Sequence, residues 1–136
     1  MTDREAIKAL VVGAYAARDR GDVEDLMTAF HSDAVFELVG ARTAPHIAGA
    51  VEGHSNVQAG FGWLIEAFKF ENREIVSFIV DDERAAVHSR IEVTFVPKNR
   101  TFTTDVLDLF KFKDGKVIEL LEFADTALIK DVISGT

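Results

Sequence analysis

The sequence contains no cysteine, which excludes disulfide bonds, thiolate metal sites and a cysteine nucleophile. Its 4 histidines are not spaced as HxH, HxxxH or HExxH, so we predict no metal site. A glycine-rich phosphate loop and a GxSxG nucleophile elbow are also missing, and neither nucleotide binding nor serine-nucleophile chemistry is supported. We therefore expect no cofactor.

Long apolar runs and basic stripes are also lacking. No apolar segment approaches the roughly 20 residues that span a bilayer, and the charged start, Met1-Thr2-Asp3-Arg4-Glu5, is unlike a signal peptide. Lys and Arg number 15 against 23 Asp and Glu, which gives a net charge of −8 and disfavours nucleic-acid binding. We expect a soluble cytoplasmic protein with no membrane or nucleic-acid partner.

What the sequence does contain is a large apolar fraction, 48% of 136 residues, enough for one domain spanning residues 1–136. There are 11 phenylalanines against one tryptophan and one tyrosine. This composition predicts a bulky apolar interior, of the kind that lines a cavity.

Helical spacing of apolar residues predicts three helices in the first half of the chain. The first begins with the capping-box pattern at Thr2 and ends near Arg20, before Gly21. Asp22 caps the second helix, which has an apolar face of Val23, Leu26, Met27 and Phe30. The third is capped at Ser55 and has an apolar face of Val57, Phe61, Leu64, Ile65 and Phe68. Between the last two, we predict a turn at 31–33, a strand at 34–39 and a loop at 40–53.

From residue 70 the period changes to two, which predicts strands over 71–80, 85–96, 101–112 and 116–125. Helices followed by an antiparallel meander indicate an α+β fold with helices on one face of a sheet. In the second of these strands, one face belongs inside and comprises Val87, Ser89, Ile91, Val93 and Phe95. The other face carries Arg90 and Glu92, which we expect to form a surface or interface ion pair.

Asp108 is the first candidate for chemistry, because it shares a strand face with apolar residues, namely Phe102, Val106, Phe110 and Phe112. A carboxylate on such a face is costly unless it is paired, hydrogen-bonded or protonated. Two interpretations stay open. Asp108 is a proton-transferring acid with a raised pKa in a pocket, or it is a buried acid satisfied by backbone groups or an arginine.

The partner of Asp108 depends on the turn at Asp114-Gly115. A two-residue turn that pairs Lys113 with Lys116 places Asp108 on the face of Glu119 and Leu121. A turn with a bulge at Gly115 places it on the face of Ile118, Leu120 and Glu122 instead. The apolar pattern alone does not choose between these registers.

The order and spacing of several short motifs resemble the SnoaL-like branch of the nuclear-transport-factor-2-like superfamily. The motifs are Arg20-Gly21-Asp22, residues 30–34 (FHSDA), residues 108–117 (DLFKFKDGKV) and residues 122–125 (EFAD). The resemblance implies a cone-shaped, strongly curved, mostly antiparallel sheet with three helices from the N-terminal half packed over a pocket, a cystatin-like α+β roll. It also implies a homodimer formed through the sheet, and it favours the register that faces Glu122.

Ketosteroid isomerase, in the same superfamily, uses a protonated aspartic acid, a tyrosine and an aspartate base. By resemblance, Asp108 matches the protonated acid. The base would fall at Leu38 and the tyrosine at Ala14, with Tyr15 one step, about 100° of helix rotation, away. The standard steroid-isomerase mechanism is therefore disfavoured. Polyketide cyclases of this group rely on a pocket carboxylate as acid and base without the full isomerase set, and by resemblance Asp108 is the nearest match to it.

These observations predict a protein that binds a small, largely apolar organic molecule and uses Asp108 as an acid–base catalyst of isomerase, cyclase or dehydratase type. The residues predicted to contact the ligand are Glu122, Tyr15, Trp63, Phe95, Val106 and Leu120. His46 and His54 lie on or beside the loop that would rim the pocket. The alternative is a non-catalytic ligand-binding or dimerisation module, which the loss of the base at Leu38 supports.

Overall fold

The computed structural model describes residues 3–42, 44 and 47–135. The four helices are Arg4–Arg20 (α1), Val23–Met27 (α2), His54–Ala67 (α3) and Thr126–Ser134 (α4). The six strands are Phe30–Val39 (β1), Gly49–Glu52 (β2), Phe68–Asp81 (β3), Arg84–Phe95 (β4), Arg100–Lys113 (β5) and Lys116–Ala124 (β6). None of the helices in the described part of the chain is long and apolar enough to cross a bilayer.

The strands form one curved sheet in the order β2-β1-β6-β5-β4-β3. Every neighbouring pair is antiparallel except β1 and β6, which run parallel. The predicted α+β architecture is confirmed, and the four long strands are found within a few residues of their predicted bounds. Helices α1 and α3 pack against this sheet with the main apolar cluster between the two layers.

Helix α1 places one stripe of residues in the interior, at Ile7, Val11, Ala14 and Arg18. The side chain of Asp3 caps its first turn, and Gly21 ends it in the left-handed conformation at φ 78°. The capping role predicted for Thr2 lies outside the described residues. Asp22 caps α2 as predicted, by accepting a hydrogen bond from the backbone N–H of Asp25.

Several boundaries differ from the prediction. Residues 31–33, predicted as a turn, belong to β1, and Phe30 begins that strand rather than ending α2. Gly53, not Ser55, is the cap of α3, and Phe68 begins β3. The predicted loop contains the short strand β2, which pairs with β1. These pairings join residues distant along the chain, so local periodicity does not reveal them.

Helix α4 was not predicted. The side chain of Asp125 accepts a hydrogen bond from the backbone N–H of Leu128, which begins the helix. Val132 is buried, with Leu128 and Ile129 packed against the second apolar cluster of the protein. These three residues follow helical spacing, so the signal was present in the sequence.

The β5–β6 hairpin combines features of both predicted registers. Lys113 pairs with Lys116 across a two-residue turn, in which Asp114 and Gly115 have φ values of 53° and 73°. The pairing then shifts by one residue, because Lys111 lies opposite Glu119 and leaves Ile118 as a bulge. The bulge is inside β6 rather than at Gly115. It places Glu122, not Glu119, on the face of Asp108.

The inward face predicted for β4 is buried throughout, from Val87 to Phe95. The predicted ion pair between Arg90 and Glu92 is wrong. Arg90 contacts Asp105 at 3.0 Å and Glu74 at 3.6 Å, which lie opposite it on β5 and β3. Directly opposed residues on neighbouring strands lie closer together than residues two apart on one strand.

Candidate functional site

A cavity lies between the helices and the inner face of the sheet and opens to solvent. Most of its wall is aromatic and aliphatic, which fits the phenylalanine-rich composition. Its polar and charged lining residues are Tyr15, Arg18, Arg73, Thr104, Asp108 and Glu122. A few polar groups on an apolar wall are typical of small-molecule sites.

Asp108 is held on this wall by the middle of β5 and is only 1% exposed. Its Oδ2 atom accepts a 2.6 Å hydrogen bond from the Tyr15 hydroxyl, while Oδ1 has no hydrogen-bond partner in the described part of the chain. Burial raises the pKa of Asp108 well above its usual range, and the neighbouring Glu122 carboxyl group raises the pKa further. Asp108 is therefore poised to hold a proton at Oδ1.

Tyr15 reaches Asp108 from α1, with its ring edge against Phe110. Burial, together with the charge of Asp108 and the hydrogen bond to it, raises the pKa of the phenol, which stays protonated. The expectation that Ala14 leaves this position without a phenol is corrected. Both residues line the cavity, and the long tyrosine side chain spans the distance from the neighbouring helix position.

Glu122 of β6 lies beside Asp108. It also lies beside Leu38, the position at which the resemblance to ketosteroid isomerase places a base. It lies opposite Asp108 on one side and opposite Leu38 of β1 on the other. Leu38 is buried and lines the cavity, so its own position offers no proton acceptor. Glu122 is half-buried and lines the same cavity. A second carboxyl group is thus present one strand away from the missing base.

Arg73 from β3 fixes the position of Tyr15. Its guanidinium carbon is 3.9 Å from the centre of the tyrosine ring. Nε and Nη2 each donate a 2.9 Å hydrogen bond to Asp19, and Nη1 donates to Ser89 at 3.2 Å. Burial lowers the pKa of Arg73, but the hydrogen bonds and charge of Asp19 raise it more. The Asp19 carboxylate neutralises the charge of Arg73 and holds its guanidinium against the Tyr15 ring.

Arg18 from α1 is the other cationic side chain of the cavity. Its Nη2 atom donates to the backbone carbonyl of Phe68 at 2.9 Å and to that of Leu64 at 3.5 Å. The guanidinium carbon is 3.6 Å from the centre of the Phe70 ring. Burial lowers the pKa of Arg18 to about 10, which keeps it charged at neutral pH. Neither arginine was singled out in the sequence, although Arg18 continues the buried stripe of α1.

The structure brings most predicted ligand contacts together. Tyr15, Val106, Leu120 and Glu122 line the cavity with Asp108. Phe95 packs against Phe68 in the second apolar cluster, and half-exposed Trp63 makes an edge contact with the same Phe68 ring. Neither is among the lining residues.

The two loop histidines have different outcomes. His54 begins α3 and contacts the backbone carbonyl of Met27 at 3.2 Å. His46 lies outside the described residues, so its predicted place at the rim stays a prediction.

Comparison with known families decides the classification. The model of the SnoaL-like domain matches residues 11–120. The chain belongs to the SnoaL-like family. This SnoaL-like chain has no significant match among curated proteins.

Solved structures agree with the fold over nearly the whole SnoaL-like chain. An NTF2-like protein from Burkholderia xenovorans is 27% identical, with a TM-score of 0.78 over 96% of this chain and 97% of that one. A candidate isomerase from Bacillus subtilis is 12% identical, with a TM-score of 0.87 over 100% and 98%. A candidate SnoaL-like polyketide cyclase from Jannaschia is 18% identical, with a TM-score of 0.82 over 100% and 99%.

Proposed function

We propose that this protein binds a small, largely apolar organic molecule in its cavity and catalyses a proton transfer on it with Asp108. The observation that carries the proposal is a fully buried carboxyl group on the cavity wall, bonded to Tyr15 at Oδ2 and without a partner in the described chain at Oδ1. No ion pair with Asp108 occurs among the described residues. Arg73 acts on Asp108 through its charge, which lowers the Asp108 pKa, but forms no salt bridge with it.

The two carboxyl groups suit a divided acid–base role. Asp108, with its raised pKa, donates a proton to a substrate carbonyl oxygen. Glu122 accepts a proton from the carbon next to that carbonyl, which forms an enol. When the substrate also carries a double bond between its β and γ carbons, Glu122 returns its proton at the γ carbon while Asp108 recovers its own. The double bond thereby moves into conjugation with the carbonyl, which completes an isomerisation. Unequal environments for neighbouring carboxyls are a usual means of separating acid from base.

The test is hydrogen–deuterium exchange at the carbon next to the carbonyl of an apolar ketone such as 2-tetralone, followed by NMR in D₂O. Catalysed exchange above the buffer rate is expected from the wild type. Asp108→Asn should lower it by roughly 100-fold or more, since general acid–base groups contribute at least that factor. Asp105→Asn is the matched control, because Asp105 lies on the outward face of the same strand. Equal rates for wild type and Asp108→Asn would reject a catalytic role.

A non-catalytic ligand-binding module is the second candidate, and Leu38 at the expected place of the base favours it. Such a module binds the ketone without accelerating exchange. Titration calorimetry with 2-tetralone alongside the exchange measurement separates the two functions. Binding with exchange at the buffer rate would support the module.

We further propose that two copies pair through the outer face of the sheet. The strand register places Ile79, Ala86, Leu109 and Leu121 in one row across β3, β4, β5 and β6. Leu107 and Phe123 lie opposite one another in the adjacent row. Ile79 is 60% exposed, and Leu107, Leu109 and Phe123 are each more than a third exposed. A contiguous apolar patch of this kind is characteristic of an interaction surface.

A further inference from the structure

We propose that the ligand of this cavity carries an anionic oxygen, a carboxylate or an ionised phenol or enol, which is bound by Arg18. The inference rests on the proposed binding function and narrows it to one chemical class. The molecule would combine an apolar body with one negative group.

The guanidinium of Arg18 is held in a fixed orientation. Nη2 is tied to the carbonyls of Leu64 and Phe68, and one face of the group stacks on Phe70. The residue is only 9% exposed, yet it lines the cavity. Nε and Nη1 make no hydrogen bond with any described residue. Each of these two atoms has a donor available to a ligand, and the two donors point to different sides of the fixed guanidinium.

The two arginines of the cavity differ in their charge balance. The carboxylate of Asp19 neutralises Arg73 through two hydrogen bonds. Arg18 has only backbone carbonyls as hydrogen-bond acceptors and no ion pair with any described carboxylate. Glu122 and Asp19 act on Arg18 through their charges, but neither carboxylate forms a hydrogen bond or a salt bridge with it.

A buried cation without a paired anion is costly, and an anionic ligand removes that cost. The free Nε and Nη1 donors of Arg18 can each make a charge-assisted hydrogen bond to an anionic oxygen. The remaining wall of the cavity is mostly aromatic and aliphatic. Together these features select a molecule that is apolar over most of its surface and negative at one end.

The test compares ligands that differ only in charge. Binding of 2-naphthoate and 2-naphthamide is measured by titration calorimetry at pH 7.5 with wild type, Arg18→Gln and the control Arg20→Gln. Arg20 is on the exposed end of the same helix and pairs with Asp22 and Asp25. We expect wild type and Arg20→Gln to prefer the carboxylate by about tenfold or more, as for charge-assisted hydrogen bonds. The preference should disappear in Arg18→Gln.

If Arg18→Gln fails to fold, the comparison of the two ligands on the wild type still tests the proposal, and Arg18→Lys replaces the glutamine variant. We expect Arg18→Lys to show a reduced but persistent preference for the carboxylate over the amide. Equal affinity of wild type for the two ligands would overturn the role of Arg18 while leaving the apolar cavity as a binding site. Failure of both ligands to bind at millimolar concentration would contradict the proposed binding function, and the inference with it.

Discussion

Asp108 and Glu122 lie directly opposite one another on β5 and β6, and the bulge at Ile118 places them there. Without it, the two-residue turn at Asp114-Gly115 would set Leu121 opposite Asp108, and Glu122 would point to the other face of the sheet. One extra residue therefore determines that the cavity has two carboxyl groups rather than one. The burial of Asp108 then raises its pKa, which favours its protonated form.

Tyr15→Phe is expected to destabilise the protein by about 1–3 kcal/mol, because it leaves Oδ2 of buried Asp108 without its donor. The Tyr15 hydrogen bond lowers the pKa of Asp108, so its loss should raise that pKa further. Urea unfolding measures the first effect, and NMR titration of the Asp108 carboxyl carbon measures the second. In a double-mutant cycle with Asp108→Asn, the two losses should not add; additive losses would contradict the hydrogen bond.

Asp108→Asn is expected to change how stability depends on pH. The folded pKa of Asp108 is raised above its unfolded value of about 3.9. Its stabilising contribution is therefore fully present below that unfolded value and is lost as pH rises through the folded pKa. Asp108→Asn should lose less stability than wild type as pH increases from 4 toward neutrality.

Urea unfolding between pH 4 and pH 9 measures this slope for both proteins. Asp105→Asn serves as the control, because Asp105 is exposed and its hydrogen bonds to Arg90 and His88 lower its pKa. This control should retain the wild-type decline above pH 5. Parallel curves for wild type and Asp108→Asn would show that burial does not shift the Asp108 pKa.

Leu109→Lys is expected to separate the proposed dimer, because it places a charge at the centre of the outward apolar row. Light scattering after gel filtration should give the mass of two chains for wild type and of one for the variant. Val96→Lys is the matched control, since Val96 is 51% exposed but follows β4 outside the row. A monomeric wild type would reject the interface.

Local sequence patterns determined much of the fold. Period-two alternation of the sequence predicted the four long strands, and β4 and β5 show it in their burial, with one face buried and the other exposed or half-buried over most of their length. Capping residues and apolar stripes gave the helices of the first half, and the same alternation placed Asp108 inside. The stripe of α1 also contained Arg18, whose buried position could have been inferred from its spacing with Val11 and Ala14.

Tertiary structure alone decided the composition of the cavity. Three of its features depend on residues that are distant in sequence or that periodicity does not distinguish. They are the bulge at Ile118, the hydrogen bond from Tyr15 to Asp108 and the pairing of Arg73 with Asp19. The strand β2 and the parallel pairing of β1 with β6 are long-range in the same way. Periodicity reports which side of an element is buried, whereas register and packing decide which buried groups meet.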